Sequence, residues 1–350
     1  MQGLIRAAVV GVGAFGRHHA RVYHELREQG VELVGLVDID PEGPRALADQ
    51  YGVPLVSSVA ALPVRPDVVS VAVPTSQHRE VAEPLLRSGI HCLVEKPVAG
   101  CTRDARELVK ASVAGSAHLQ VGLVERFNPV AAALDRLGEP PVYIEVHRLA
   151  PWTGRATDVG VVMDMMIHDL DLLNHVVGEE SSNVQAVGVS IASDHEDVVN
   201  ARVIYPGGCV ANVTASRVAE KRMRRVRVFG RGGYLRLDFD ARQADLRRFP
   251  RRRPAWGQKV AGLAARGAVI DPGRVSGVRP RFEEQIQTER LPIGNGEPLR
   301  GEIEALLAGV REGISPRVGG PEGLRALALA ERILTMVAAD EGHQLAVQHA

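Results

Sequence analysis

Apolar and polar positions follow two different textures along the chain. From Leu4 to Val10 an apolar run enters Gly11-Val12-Gly13-Ala14-Phe15-Gly16, and a helical pattern follows to about Glu28. Further apolar runs at 31–37, 67–73, 90–94 and 118–123 are separated by helical patterns over 41–51, 78–88 and 102–114. Near-continuous apolar strands alternating with helices predict a parallel sheet covered on both faces. After Arg126-Phe127-Asn128-Pro129 the texture changes. Helices are predicted around 130–137 and 163–177, followed by short β-rich runs at 184–191, 197–205, 209–216, 224–229 and 233–239. Gly, Pro and Asp separate these runs, and their spacing predicts a meandering, mostly antiparallel sheet. Residues 249–280 are rich in Arg, Pro and Gly without clear periodicity and read as a long excursion. Two helices, over 298–313 and 321–339, close the chain.

Composition narrows the class. With 42 basic and 42 acidic residues the formal charge is zero, so nothing draws the chain to nucleic acid or to a membrane by bulk charge. Arg251-Arg252-Arg253 reads as a solvated cluster rather than a nucleic-acid arm. The 350 residues exceed what one hydrophobic core usually supports, and two domains are expected, over 1–123 and 124–350. Cys92, Cys101 and Cys209 lie far apart, which excludes a disulfide scaffold and argues against structural zinc. No apolar run approaches the ~20 residues of a membrane helix, and the chain enters its first strand without a signal-peptide pattern. A cytoplasmic protein is expected. Only Lys96, Lys110, Lys221 and Lys259 are lysines, so a lysine at a special place draws attention.

The Gly11-x-Gly13-x-x-Gly16 spacing gains meaning from its context, because it follows a buried strand, opens a helix and precedes Asp38 at the end of the next strand. Gly11 permits the tight turn, Gly13 the approach of a pyrophosphate, and Gly16 close packing of helix on strand. Asp38 would accept hydrogen bonds from ribose hydroxyls and repel a 2′-phosphate, which favours NAD over NADP. Val73-Pro74-Thr75-Ser76-Gln77-His78 lies where a cofactor would cross the sheet, although a plain strand-to-helix turn has the same composition. Glu95-Lys96-Pro97 puts a charged pair at the end of a buried strand, and the proline could aim Lys96 into a cleft. If the later segment is helical, Asp164 and His168 share one face, with Met166, Leu170, Leu173 and Val177 on the other. That D-x-x-x-H spacing also occurs at metal sites, but no third ligand is evident and no metal is expected.

Together, Gly11 to Gly16, Pro74-Thr75 with His78, Glu95-Lys96-Pro97 and Asp164-x-x-x-His168 resemble the Gfo/Idh/MocA family of sugar and inositol oxidoreductases. Glu297-Pro298-Leu299 and Glu322-Gly323-Leu324-Arg325-Ala326-Leu327 resemble the family's closing helices, so the resemblance covers nearly the whole chain. It implies an α/β fold, with an N-terminal Rossmann domain and a C-terminal α/β domain whose open mixed, mostly antiparallel sheet often serves oligomerisation as a homodimer or homotetramer. It also implies that Lys96, Asp164 and His168 meet a small-molecule substrate beside the nicotinamide. Gly11, Gly13, Ala14, Phe15, Gly16, Asp38, Thr75, His78, Glu95 and Lys96 would then hold NAD.

Alcohol oxidation needs a base for the hydroxyl proton and a donor for the developing alkoxide. An imidazole titrates near neutrality, which suits His168 as base, with Lys96 as hydroxyl donor and proton relay and Asp164 orienting both. The residues leave open an exchange of the first two roles. The segments 124–129 and 146–158 look like a subgroup similar to UDP-N-acetylglucosamine 3-dehydrogenases, which implies oxidation at C3 of a UDP-sugar. Leu123 departs from the His often found before the first segment. Arg126, Asn128, Arg148, Arg155 and His168 are the substrate-binding candidates, and Arg148 and Arg155 could hold a diphosphate. A free inositol or hexose, or a cofactor-sensing regulator without turnover, are the competing readings. The intact trio of Lys96, Asp164 and His168 speaks against the regulator.

Overall fold

The computed structural model describes residues 3–40, 42–154, 159–249 and 286–348, with side chains to 339. Six strands form the first sheet: β1 (Ile5–Val10), β2 (Val31–Val37), β3 (Leu55–Val56), β4 (Val68–Val71), β5 (His91–Glu95) and β6 (Leu119–Gly122). All pairs are parallel, in the order β3-β2-β1-β4-β5-β6. Four helices connect them: α1 (Gly16–Glu25), α2 (Arg45–Tyr51), α3 (His78–Arg87) and α4 (Thr102–Ala114).

The apolar runs are continuous because both faces are covered. In β1, Ala7 and Val9 pack with Ala20, Val22 and Tyr23 of α1, while Ala8 and Val10 pack with Ala82 and Leu86 of α3 and with Ala105 and Leu108 of α4. The strand order reverses direction between β1 and β4, and a ligand crevice opens beyond the carboxyl ends of strands at such a point.

The second sheet has eight strands, β7 (Tyr143–Leu149), β8 (Asn183–Val189), β9 (Val198–Ile204), β10 (Val210–Ser216), β11 (Met223–Phe229), β12 (Gly233–Asp238), β13 (Gln243–Arg248) and β14 (Gln287–Leu291). Their order is β14-β13-β12-β11-β7-β10-β9-β8, antiparallel throughout except where β7 and β10 run parallel. Burial alternates along these strands, so one face is packed and the other open. The packed face meets α5 (Ile167–Val177) and α7 (Gly320–Gln348), through Met166, Leu170, Leu173, Leu329, Ile333 and Val337. On the open face Tyr143, Phe229 and Tyr234 form a run of ring contacts.

The chain crosses the division expected at residue 123. Ile303, Leu306 and Leu307 of α6 (Pro298–Glu312) return to the core of the first sheet beside α1. Ala326 and Leu327 of α7 reach the same sheet's other face. The structure departs from the sequence expectation in several elements, among them the short strands β3, β13 and β14, which had no counterpart in it. Residues 131–137 form a 3-10 helix, the segment before α5 is a π-turn over Val162–Met166, and β7 was not anticipated. The excursion lies beyond Phe249 outside the described residues, and β13 and β14 on either side of it pair antiparallel.

Candidate active site

Gly11 closes the loop after β1 with φ of +81°, and a Cβ there would lie 2.7 Å from the backbone of Ala72. A Cβ on Gly16 would collide with the Gly11 carbonyl oxygen, whereas the space above Gly13 is open. The two outer glycines are therefore demanded by backbone packing, and the middle one leaves a cradle. Asp38 Oδ2 accepts the Val12 N–H at 2.7 Å and Oδ1 accepts the Asp40 N–H at 3.0 Å, which fixes the carboxylate beside that cradle. Ala14 and Phe15 are exposed on its rim and Thr75 is half-buried across the crevice. These residues fit a dinucleotide: the glycine loop and the N-terminus of α1 for the pyrophosphate, Asp38 for the ribose.

Two of the expected cofactor contacts have other partners. His78 is 1% exposed, and its ring nitrogens face the carbonyl oxygens of Pro97 at 2.9 Å and Val73 at 3.0 Å. Burial lowers its pKa below the ordinary imidazole range. In place of a contact from the cleft, it ties the loop after β4 to the segment after β5. Glu95 turns beneath the sheet edge, where Oε1 bonds His19 Nε2 at 2.9 Å and Oε2 accepts the Lys96 N–H at 3.2 Å. His19 Nδ1 continues to Ser70 Oγ at 3.0 Å, and Ser70 Oγ to the Tyr23 hydroxyl at 2.9 Å. Against the desolvation of burial, the hydrogen bond and charge of His19, with Lys96, keep the Glu95 carboxylate below the usual range. Glu95 thus anchors the backbone from which Lys96 departs.

The Lys96–Pro97 peptide bond is cis. Lys96 Nζ donates to Asp164 Oδ1 at 2.8 Å and to the Asp164 carbonyl oxygen at 2.6 Å. This pair joins the edge of the first sheet to the π-turn ahead of α5, a kind of helix distortion that recurs at functional sites. His168 follows in the first turn of α5, 9% exposed, and its buried Nδ1 has no hydrogen-bond partner among the described residues. Desolvation, then the charges of Lys96, Arg148 and Arg224, push its pKa well below the ordinary value. The imidazole is neutral at pH 7 and open to a proton. Asp164, expected to orient both Lys96 and His168, bonds Lys96, and no hydrogen bond joins it to His168.

Two of the expected substrate-binding arginines are committed within the fold. Arg148 is 4% exposed, with Nε and Nη2 on Asp169 and Nη1 on Glu125, so its donors are committed within the fold. Arg126 is 6% exposed and bonds Asp171 on α5. Arg155 lies outside the described residues. Asn128 does line a cleft, a cavity of about 460 Å³ whose walls include Arg222, Arg224 and Arg242 with Asp240. Arg224 also bonds Glu125 at 3.1 Å. Sequence reasoning missed these three arginines because they sit among many others, at the start of β11 and at the β12–β13 turn, and only the sheet order brings them together. His19 left a faint signal, a polar residue on the apolar face of α1.

Two family models match the chain. "Oxidoreductase family, NAD-binding Rossmann fold" covers residues 5–123, and "GFO/IDH/MocA C-terminal domain" covers residues 103–236. A UDP-N-acetylglucosamine 3-dehydrogenase of Acidithiobacillus ferrooxidans is 33% identical over 96% of this chain and 98% of its own length. The chain belongs to the Gfo/Idh/MocA family. A solved structure of a UDP-N-acetylglucosamine 3-dehydrogenase from that organism superposes with a TM-score of 0.82 and 32% identity, covering 97% of this chain and 99% of the other. An inositol 2-dehydrogenase of Rhizobium meliloti is 26% identical over 95% of this chain and 97% of its own. The Bordetella pertussis WlbA dehydrogenase, solved with NADH and UDP-GlcNAcA, shares the fold, with a TM-score of 0.78 and 20% identity over 97% of each chain. This Gfo/Idh/MocA member is an oxidoreductase with a nicotinamide-dinucleotide domain. Among the described residues no helix is long and apolar enough to cross a membrane.

Proposed function

We propose that this oxidoreductase uses NAD to oxidise a secondary hydroxyl of a sugar nucleotide, at C3 of UDP-N-acetylglucosamine. The observation that carries the reading is a chain of ion pairs between two chemistries, in which Arg224 of the arginine-lined cleft bonds Glu125, Glu125 bonds Arg148, and Arg148 bonds Asp169, the residue after His168. Lys96, Asp164 and His168 supply proton transfer, and Arg222, Arg224 and Arg242 line the neighbouring cleft with the charge a diphosphate needs. The 33% identical relative bears the name of that activity.

NAD, when bound, supplies the hydride acceptor. His168, kept neutral by burial and surrounding cations, takes the hydroxyl proton. Lys96, pinned by Asp164 through two acceptors on one residue, presents its ammonium to the substrate oxygen and stabilises the negative charge that builds there. Glu95, through the Lys96 N–H, holds the backbone from which that lysine projects. We also place homodimer or homotetramer assembly on the open face of the second sheet, where Tyr143, Phe229 and Tyr234 lie. Light scattering after size exclusion reports the state.

The deciding measurement is NADH formation with UDP-N-acetylglucosamine, free N-acetylglucosamine, myo-inositol and glucose. Turnover is expected with the UDP-sugar. Equal efficiency with a free sugar or inositol moves the assignment to a polyol dehydrogenase, and NAD binding without turnover of any substrate supports a cofactor-sensing regulator.

A further inference from the structure

A second polar cavity, of about 200 Å³, lies among the turn at Val124–Phe127, α5 and the first turn of α7. Its walls include Arg126, Asp171, Asn174, Arg317, Glu322 and Arg325. We propose that this cavity is a binding site for a phosphate-sized oxyanion. The proposal is independent of the substrate reading above.

The wall is rich in donors whose partners are incomplete. Arg126 is 6% exposed, bonds Asp171 Oδ1 at 3.1 Å, and its buried Nε has no partner among the described residues. Buried Asn174 Nδ2 has none either. Arg317 lies with its guanidinium carbon 6.0 Å from the Phe127 ring centroid and forms no ion pair among the described residues. Arg325 is paired, to Glu322 at 2.6 Å, and Glu322 also accepts the Gly319 N–H at 2.9 Å. Three guanidinium groups thus face two carboxyl groups.

One of those carboxyl groups is not a settled anion. Asp171 is 1% exposed, and burial, only partly offset by Arg126, pushes its pKa up to about 7. Arg126 is itself lowered by burial, which its charge attraction to Asp171 does not fully offset. The pair alone does not recover the desolvation of its two charges. An oxyanion would complete it, taking N–H bonds from Arg126 and Asn174 and the charge of Arg317, while a protonated Asp171 donates from Oδ2, which has no partner among the described residues. His175, beside Asp171 on α5, is held below its ordinary pKa by burial and faces Asp135 at 3.5 Å, so it adds no full charge at neutrality. Three arginines exclude a metal cation from this cavity. Because Arg126 and Asp171 join the turn that leads to Asn128 with the helix that carries His168, an occupied site would brace the floor of the catalytic cleft.

Sulfate is the suitable probe, since its charge is constant from pH 6 to 8, and the protein is kept saturated with NAD so that the glycine loop is filled. Calorimetric titration with sulfate against chloride at matched ionic strength should give saturable binding. Arg317→Ala and Arg325→Ala should each weaken it about tenfold, whereas Arg65→Ala, on the wall of neither cavity, should not. Binding should tighten from pH 8 to pH 6 as Asp171 takes up its proton. Asp171→Asn should abolish that slope while retaining binding, and His175→Asn should leave it. Wild-type affinity in both arginine variants, or no response to sulfate beyond that to chloride, overturns the proposal.

Discussion

Arg148 grips Asp169 through two parallel hydrogen bonds, Nε to Oδ2 at 2.7 Å and Nη2 to Oδ1 at 2.8 Å, one residue beyond His168. Its third donor reaches Glu125 at 2.9 Å. Removing one partner from such a buried pair leaves uncompensated charge, and Arg148→Ala should cost about 3–5 kcal/mol of stability. Arg148→Lys should recover little, because an ammonium cannot reproduce the planar fork. Urea denaturation measures both variants. A stable Arg148→Ala protein whose only defect is weak sugar-nucleotide binding would return this arginine to the ligand.

Lys96→Ala and His168→Ala should each lower kcat by about 10²-fold or more while NAD affinity changes little, because proton transfer and oxyanion stabilisation act on the transition state. The acid limb of kcat/KM should lie below pH 6.5, since the buried, cation-flanked His168 stays neutral as pH falls past the ordinary imidazole value. Steady-state rates from pH 5 to 8 show this directly. Near-normal turnover of either variant removes its assigned role.

How far the sequence disclosed this site depends on the range over which each residue makes its contacts. Gly11, Gly16 and Asp38 were legible because their duties are local: a turn, a helix packed on its own strand, a carboxylate at the next strand end. Lys96 and Asp164 were legible as separate motifs, and they meet through side chains 68 positions apart. His78 and Arg148 were misread for one physical reason. A polar residue next to a motif can face the ligand or brace the backbone behind it, and burial decides between these. β7 was obscured because Arg148 follows Ile144 and Val146 on its packed face, its charge offset by Glu125 and Asp169, while Glu145 and His147 occupy the open face. The π-turn left no periodic signature, and it carries the residue that holds Lys96.

Asp38 sets the expectation for cofactor choice. A 2′-phosphate beside this carboxylate should lose more than ~1.4 kcal/mol, so NAD should bind at least about tenfold tighter than NADP. Asp38 also accepts the Val12 N–H of the glycine loop, and Asp38→Ala should therefore weaken NAD binding as it narrows the preference. Asp38→Asn keeps an acceptor for Val12 and should relax the preference with a smaller loss of NAD affinity. Fluorescence titration of both cofactors tests the ratio, and equal wild-type affinities would refute it.

Glu302 on α6 is fully buried, and neither carboxyl oxygen has a hydrogen-bond partner among the described residues. Desolvation, then the charges of Glu95 and Asp171, hold its pKa well above the usual carboxylate range. The folded state therefore keeps a proton that the unfolded chain releases above its ordinary pKa, and stability falls as pH rises beyond that point. Glu302→Gln, neutral at every pH, should raise the Tm relative to wild type at pH 8, with the gain shrinking towards pH 5. A gain independent of pH would show that packing, not ionisation, limits this position.

The arginines of the larger cleft give the most direct test of the substrate class. Arg222 pairs with Asp240 at 2.9 Å with its side chain 57% exposed, and Arg242 donates to the Gly294 carbonyl at 2.8 Å. Neither is a buried structural anchor of the kind Arg148 is. A diphosphate is remote from the reacting carbon and is held alike in ground and transition states. Arg222→Ala and Arg242→Ala should therefore raise KM for UDP-N-acetylglucosamine about tenfold, near the lower end expected for one charged hydrogen bond, while kcat changes little. Because the cleft is open to solvent, the wild-type KM should also rise with salt, and more steeply than in the variants. Free N-acetylglucosamine offers no phosphate, and its oxidation should be indifferent to both substitutions. If the two arginine variants weaken free and UDP-linked sugar equally, the diphosphate is bound elsewhere and these residues act on the sugar ring itself.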